Sequence, residues 1–224
     1  GRNLDIVGVS RNIKKKYPQG LYNLTELQRD ANNVFGYSPK ETLNIMQNLY
    51  ERHKILTYPR TDSKYISEDI VPTLKDRLKT INMRDYTKLA NKIIINGIKT
   101  NKSFVDDKKV TDHHGIIPTE EYVNLGDLSI KELNIYEMVI KRFLAVFLPA
   151  FQYEEIKLEA KVGNHSFLAK TQNIVQLGFR EVYVDEDEEE YSRGLVEVDK
   201  GAILTGFRLV ETKGQTSPPE RFTE

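Results

Sequence analysis

Hydrophobic residues recur at helical spacing from Leu24 to Phe147 and at every second position from Ile156 onward, and Pro149 marks the change. A period near 3.6 buries one stripe of a helix, whereas a period of 2 buries one face of a strand. A shorter alternation around Ile6, Val7 and Val9 precedes the helical part. The expected order is therefore strand, helices, strands. That is an α+β chain with more than one domain, in which a helical region is inserted into an antiparallel β region built from both ends. The boundaries fall at 1–21 for the first β segment, 22–149 for the helical domain and 150–224 for the remaining β segments.

Local signals punctuate the helical part. Asn23 caps a helix over 23–35, with Glu26 completing a capping-box pattern, Leu24, Leu27, Ala31 and Val34 as its stripe, and Gly36 at its C-terminal cap. Ser38, Pro39 and Glu41 start a second helix striped by Leu43, Met46, Leu49 and Tyr50. The two make a helix-turn-helix candidate, a form that serves as scaffold as readily as it binds DNA. Ser67-Glu68-Asp69 begins another helix, with Pro72 near its first turn, and 86–95 forms a short one. Ser129 and Glu132 repeat the capping box ahead of Leu133, Tyr136, Ile140, Phe143, Leu144 and Phe147, whose aromatics belong to the core.

In the β part, Gly163-Asn164 reads as a hairpin turn, and 167–171, 174–177, 182–184, 195–198 and 203–210 read as strands. The acidic run 185–190 contains the spacing Asp185, Asp187, Glu189, which matches a Mg²⁺ motif, but six consecutive acids match almost any spacing. It reads as a solvated loop. The basic run Lys14-Lys15-Lys16 suits a phosphate backbone or a charged strand edge equally.

Lys plus Arg and Asp plus Glu both total 33, so the net charge is zero and any nucleic-acid contact has to be local. There is no Cys, hence no disulfide or thiolate metal site. No apolar run approaches the roughly 20 residues of a membrane helix, and no signal-peptide pattern appears. The expectation is a soluble, intracellular protein. A start at Gly1 and an end on Pro218-Pro219-Glu220-Arg221-Phe222-Thr223-Glu224 suggest a piece of a longer chain.

Chemistry gathers in two stretches. In Leu56-Thr57-Tyr58-Pro59-Arg60-Thr61-Asp62-Ser63, Pro59 holds Tyr58 extended, and residues two apart then share a face. The Tyr58 phenol and the Arg60 guanidinium therefore project together, an oxygen nucleophile beside a cation whose fork suits phosphate. Read alone, the same residues also fit a strand end with an exposed Tyr. In His113-His114-Gly115-Ile116-Ile117-Pro118-Thr119, at most one of the adjacent imidazoles faces a given site. A His there can donate to a phosphate or move a proton, or it can simply be solvated. Two adjacent His without further spaced ligands make a poor metal site.

In combination these stretches resemble the type IA DNA topoisomerases, bacterial topoisomerase III branch. Tyr22 to Ala31, which includes Gln28, is similar to that family's helix entering the nucleophile domain, and Gly36 to Glu51 to the helix after it. Leu56 to Ser63 matches the active-tyrosine motif. Val110 to Thr119 matches the His-His-small-Ile-Ile-Pro-Thr motif, with Gly115 where Ala is more usual. Pro218 to Glu224 resembles a lead into a further domain.

The resemblance implies a winged-helix-like, CAP-like helical domain carrying Tyr58, mounted on β segments that act as gate and hinge. It implies that Tyr58 attacks single-stranded DNA and keeps the 5′ end as a phosphotyrosine, without ATP. It assigns Arg60 and His113 to catalysis and to the scissile phosphate, with His114, Gln28, Thr61 and Ser63 as further DNA contacts. Mg²⁺ ligands are expected in a TOPRIM domain of the same chain and none here; that domain and the groove domain are the expected partners. A monomeric piece of a bacterial cytoplasmic enzyme, inactive by itself, is the result. The main alternative is a non-catalytic helix-turn-helix DNA module. A recombinase or type IB enzyme, linking the 3′ end, is the other.

Overall fold

The computed structural model describes residues 4–184, 201, 203 and 204. Strand β1 (Leu4–Lys16) is followed by helices α1 (Leu24–Phe35), α2 (Pro39–Glu51), α3 (Leu74–Lys79), α4 (Arg84–Ile95) and α5 (Ile130–Ala145). Strands β2 (Phe151–Val162), β3 (His165–Gln176) and β4 (Ile203–Leu204) complete a four-stranded sheet ordered β3-β2-β1-β4. β4 pairs antiparallel with β1, Leu4 opposite Leu204 and Asp5 opposite Ile203. The chain is thus a mixed α/β protein with antiparallel pairing.

Two compact units emerge. One groups the described part of residues 1–12, residues 155–173 and the described part of 194–224; the other groups 13–154 with the described part of 174–193. In the first, Ile6 and Ala160 are buried with Leu4, Val9 and Leu158 packed beside them. The second is built around α5, whose Tyr136, Ile140, Phe143 and Leu144 are fully buried among Leu27, Met46, Leu49 and Phe104. Phe143 and Phe104 each meet Phe147 edge to face.

Capping was legible. Asn23, Ser38 and Ser129 each accept the backbone N–H of the residue three ahead, and at Ser129 the Glu132 carboxylate returns the bond. Gly36 closes α1 at φ 71°, a left-handed conformation that Gly adopts without a Cβ clash. The stripes were less so. Val34 is 66 % exposed and Tyr50 is 37 % exposed, while Thr42 and Ile45 join the expected Met46 and Leu49 as the buried positions of α2. Val34 and Tyr50 sit in the last turns of their helices, off the faces buried by Leu27 and Ala31 and by Met46 and Leu49.

Residues 182–184 are not a strand. Leu177 leads into a 3₁₀ helix, Gly178–Tyr183, that carries Val182 into the core. Gly178 has φ 55°, its missing Cβ makes room for the carbonyls of Pro149 and Ala150, and Phe179 N–H donates to Pro149 O at 2.9 Å. A short apolar run of β-branched residues does not distinguish strand from helix by period. Between Ser67 and Lys79 a 3₁₀ helix, Glu68–Thr73, with Pro72 inside it, precedes α3. The acidic run 185–190 and the strand expected at 195–198 lie outside the described residues, as does all but Ile203–Leu204 of that at 203–210.

Tyr136 is fully buried, and its hydroxyl has no hydrogen-bond partner among the described residues. Burial pushes its phenol well above the ordinary range. Tyr136→Phe removes a desolvated hydroxyl without opening a cavity, and is expected to raise unfolding free energy by about 1 kcal/mol in urea titration.

Candidate active site

Tyr58 and His113, 55 positions apart in sequence, meet with ring centroids 4.2 Å apart and planes inclined at 34°. What brings them together is backbone pairing. Thr57 N–H donates to Ile117 O at 3.0 Å, and Ile117 N–H donates to Thr57 Oγ1 at 3.0 Å. Leu56 and Pro118 form an antiparallel bridge, and Thr119 N–H donates to Ile55 O at 3.0 Å. Pro59 is buried and turns the chain directly after Tyr58. On the other side, Ile116 N–H donates to Tyr22 O at 2.8 Å and Gly115 N–H to Tyr65 O at 2.8 Å. Gly115 suits that seam, since a Cβ there would lie 3.1 Å from Leu21 Cβ.

The expected site residues divide into two groups. Tyr58 is half-buried and Arg60 and His113 are exposed. Arg60 has no hydrogen-bond or ion-pair partner among the described residues. Thr61 and Ser63, expected at DNA, are 7 % and 6 % exposed, and their hydroxyls are committed to the fold. Thr61 Oγ1 donates to His113 O at 3.0 Å, and Ser63 Oγ donates to Lys109 O at 2.7 Å. Both therefore splice the Tyr58 segment to the His113 segment. Gln28 uses its amide on the first residue of α2, donating to Pro39 O at 2.9 Å.

His114 points elsewhere than His113. Its Nδ1 lies 2.7 Å from Gly115 O; a carbonyl only accepts, so Nδ1 carries the proton and Nε2 is left as an acceptor. Burial lowers its pKa from the ordinary value, the Gly115 bond partly opposes this, and the Arg77 charge adds to the lowering. In the unfolded chain an imidazole titrates near about 6.5. Below that pH the unfolded state takes up a proton that the folded state resists, so folding stability is expected to fall on acidification. Urea midpoints at pH 7.5 and 5 should show a smaller acid loss in His114→Gln than in the unaltered chain.

Two neighbours escaped sequence reading. Tyr50 packs edge-on against Tyr58 at 5.5 Å. Arg77, 8 % exposed, donates from Nη1 to Pro118 O at 2.8 Å and from Nε to Thr73 Oγ1 at 2.8 Å, with Nη2 3.4 Å from Glu120. It thereby holds the far end of the His113 segment. The available signal was positional: Arg77 falls on the stripe made by Leu74 and Leu78. Lys54 is the other local oddity, at φ 57°, with its carbonyl accepting from Thr119 Oγ1 at 2.6 Å.

Among the described residues no group of three or more His, Asp or Glu is placed to hold a metal ion. Among them, too, no helix is long and apolar enough to cross a membrane.

The DNA topoisomerase family model matches residues 1–224. The chain belongs to that family. It lies in the type IA, topoisomerase III branch, since it is 52 % identical over 228 residues to DNA topoisomerase 3 of Bacillus thuringiensis (strain Al Hakam), covering 99 % of this chain and 31 % of that one. DNA topoisomerase 3 of Bacillus subtilis (strain 168) is 47 % identical over 229 residues, covering 100 % of this chain and 32 % of the relative. The chain thus spans about a third of the length of these relatives. Full-length topoisomerase I from Thermotoga maritima has a similar fold, with a TM-score of 0.65 at 22 % identity over 91 % of this chain and 33 % of that one.

Proposed function

We propose that this chain is the nucleophile-bearing part of a type IA DNA topoisomerase that cuts single-stranded DNA through Tyr58. The Tyr58–His113 stack beside an uncommitted Arg60 carries the reading. Tyr58 Oη attacks a phosphodiester phosphorus, a P–O bond to Tyr58 forms, and the bond to the 3′ oxygen breaks. The phenolic proton leaves to a base outside the described residues, and the departing 3′ oxygen takes one up. Arg60 offsets charge building on the phosphate, and His113 donates to it while bracing the Tyr58 ring. Thr61 and Ser63 act by splicing the two segments, with His114 and Gln28 behind them. Resealing reverses the exchange, one phosphodiester for another, so ATP is not consumed.

Within this reading, 22–149 is a winged-helix-like domain inserted into a β gate made of 1–21 and 150–224, which hinges as a second strand passes. Mg²⁺ ligands and the remaining DNA groove come from TOPRIM and groove domains elsewhere in the same polypeptide, in a monomer of the bacterial cytoplasm. The test is to incubate the full-length polypeptide with end-labelled single-stranded DNA and Mg²⁺, denature it, and determine which DNA end is attached. A 5′ link supports the reading; a 3′ link overturns it in favour of recombinase-type chemistry. Residues 1–224 alone are expected to fold without relaxing supercoiled plasmid, and rapid relaxation by them would contradict this division of labour.

A further inference from the structure

Tyr58 lines a cavity of about 610 Å³ on which His113 does not border. That volume falls within the roughly 300–1,000 Å³ of small-ligand sites. Tyr50 lines it next to Tyr58, 37 % exposed and in edge-on contact with the Tyr58 ring. Thr57 and Thr119 supply the floor where the two site segments pair. Around it stand three exposed carboxylates, Glu51, Glu120 and Glu121, against one ammonium, Lys54. Glu120 is held in place by the buried Arg77.

This chemistry repels a phosphate and accepts hydrogen bonds from amino groups, and its aromatic wall suits a flat ring. A base with an exocyclic amine meets both conditions: cytosine and adenine carry one toward a carboxylate acceptor, guanine likewise, and thymine carries none. Reach follows from covalency. If Tyr58 holds a 5′ phosphate, the first nucleotide of the bound end is tethered to the phenol whose ring forms the cavity wall. We propose that this cavity takes the base of the first nucleotide on the 5′-phosphoryl side of the break, preferring amino-bearing bases to thymine. The inference rests on the reading of Tyr58 given above.

The experiment uses the full-length polypeptide and 3′-end-labelled oligonucleotides that differ only at that base, with an abasic version. Adduct at the site is expected to be roughly three- to tenfold greater with cytosine, adenine or guanine than with thymine, and least with no base. Tyr50→Ala should bring all versions within about twofold of one another, and Tyr50→Phe should keep the order. Glu121→Lys reverses the local hydrogen-bonding sense and should raise thymine, whose O4 accepts, relative to cytosine. It serves as the deciding variant if Tyr50→Ala yields no adduct. Equal adduct on thymine and cytosine in the unaltered enzyme overturns the proposal, as does an order that Glu121→Lys leaves unchanged. An adduct that survives Tyr58→Phe, or is linked at the 3′ end, overturns the underlying reading instead. An adduct dependent on Tyr58 but indifferent to the base overturns only the cavity assignment.

Discussion

Tyr58→Phe in the full-length polypeptide is expected to cut formation of the 5′-linked DNA adduct by at least about 1,000-fold, measured by denaturing gels of end-labelled single-stranded DNA. The substitution removes one oxygen and little else. The ring keeps its stack on His113 and its edge contact with Tyr50, so unfolding free energy should stay within about 0.5 kcal/mol of the unaltered protein. The nearest substitute phenol, Tyr50, has its ring centroid 5.5 Å from that of Tyr58 and belongs to a different element. Misplacement on that scale is enough to lose an aligned attack. Residual adduct at the unaltered level would mean that another residue is the nucleophile.

The largest expected stability effect lies at Arg142. This α5 side chain is 5 % exposed. Its Nη2 donates to Asp30 Oδ2 at 3.0 Å and its Nη1 to Gly20 O at 3.2 Å, Glu26 Oε2 lies 3.6 Å away, and the guanidinium sits 3.9 Å above the centre of the Tyr22 ring. Arg142→Ala strips Asp30 and Glu26 of their buried cation and leaves them only the more exposed Arg29 and Lys64, and should cost about 3–5 kcal/mol. By differential scanning calorimetry that is a fall of about 10 °C or more in Tm. Arg142→Lys should recover only part of it, because an ammonium cannot make the forked contact and stack on Tyr22 together. The loss would also reach the site, since the Tyr22 carbonyl accepts the Ile116 N–H. A loss under about 1 kcal/mol, the value of a surface pair, would show that the cluster is solvated.

What the sequence disclosed and what it hid follow the range of the forces involved. Caps at Asn23, Ser38 and Ser129 depend on residues three apart, so they were readable without the fold. The two motifs were readable because their residue types are unusual together. Which of those residues face outward was not. Thr61 and Ser63 look like ligand contacts in a list of polar side chains, yet their partners, His113 O and Lys109 O, are 52 and 46 positions away. Arg77 and Tyr50 were hidden for the converse reason. Each occupies a helix stripe that reads as core, and only the tertiary arrangement turns one into a brace and the other into the wall of a cavity.

The pairing of Thr57 with Ile117 also makes the intervening chain a closed ring, joined across 60 positions by hydrogen bonds at its neck. The entropy of closing such a ring grows only with the logarithm of its length: adding ten residues to sixty costs about 0.1 kcal/mol. The exposed turn at Gly97, where an added Cβ would meet nothing within 4 Å, is a point at which such growth disturbs no packing. The two motifs are therefore insulated from changes of length between them. A reporter peptide or a small folded domain spliced in at Asn96–Gly97 should ride on the outside of the protein while Tyr58 and His113 stay in register.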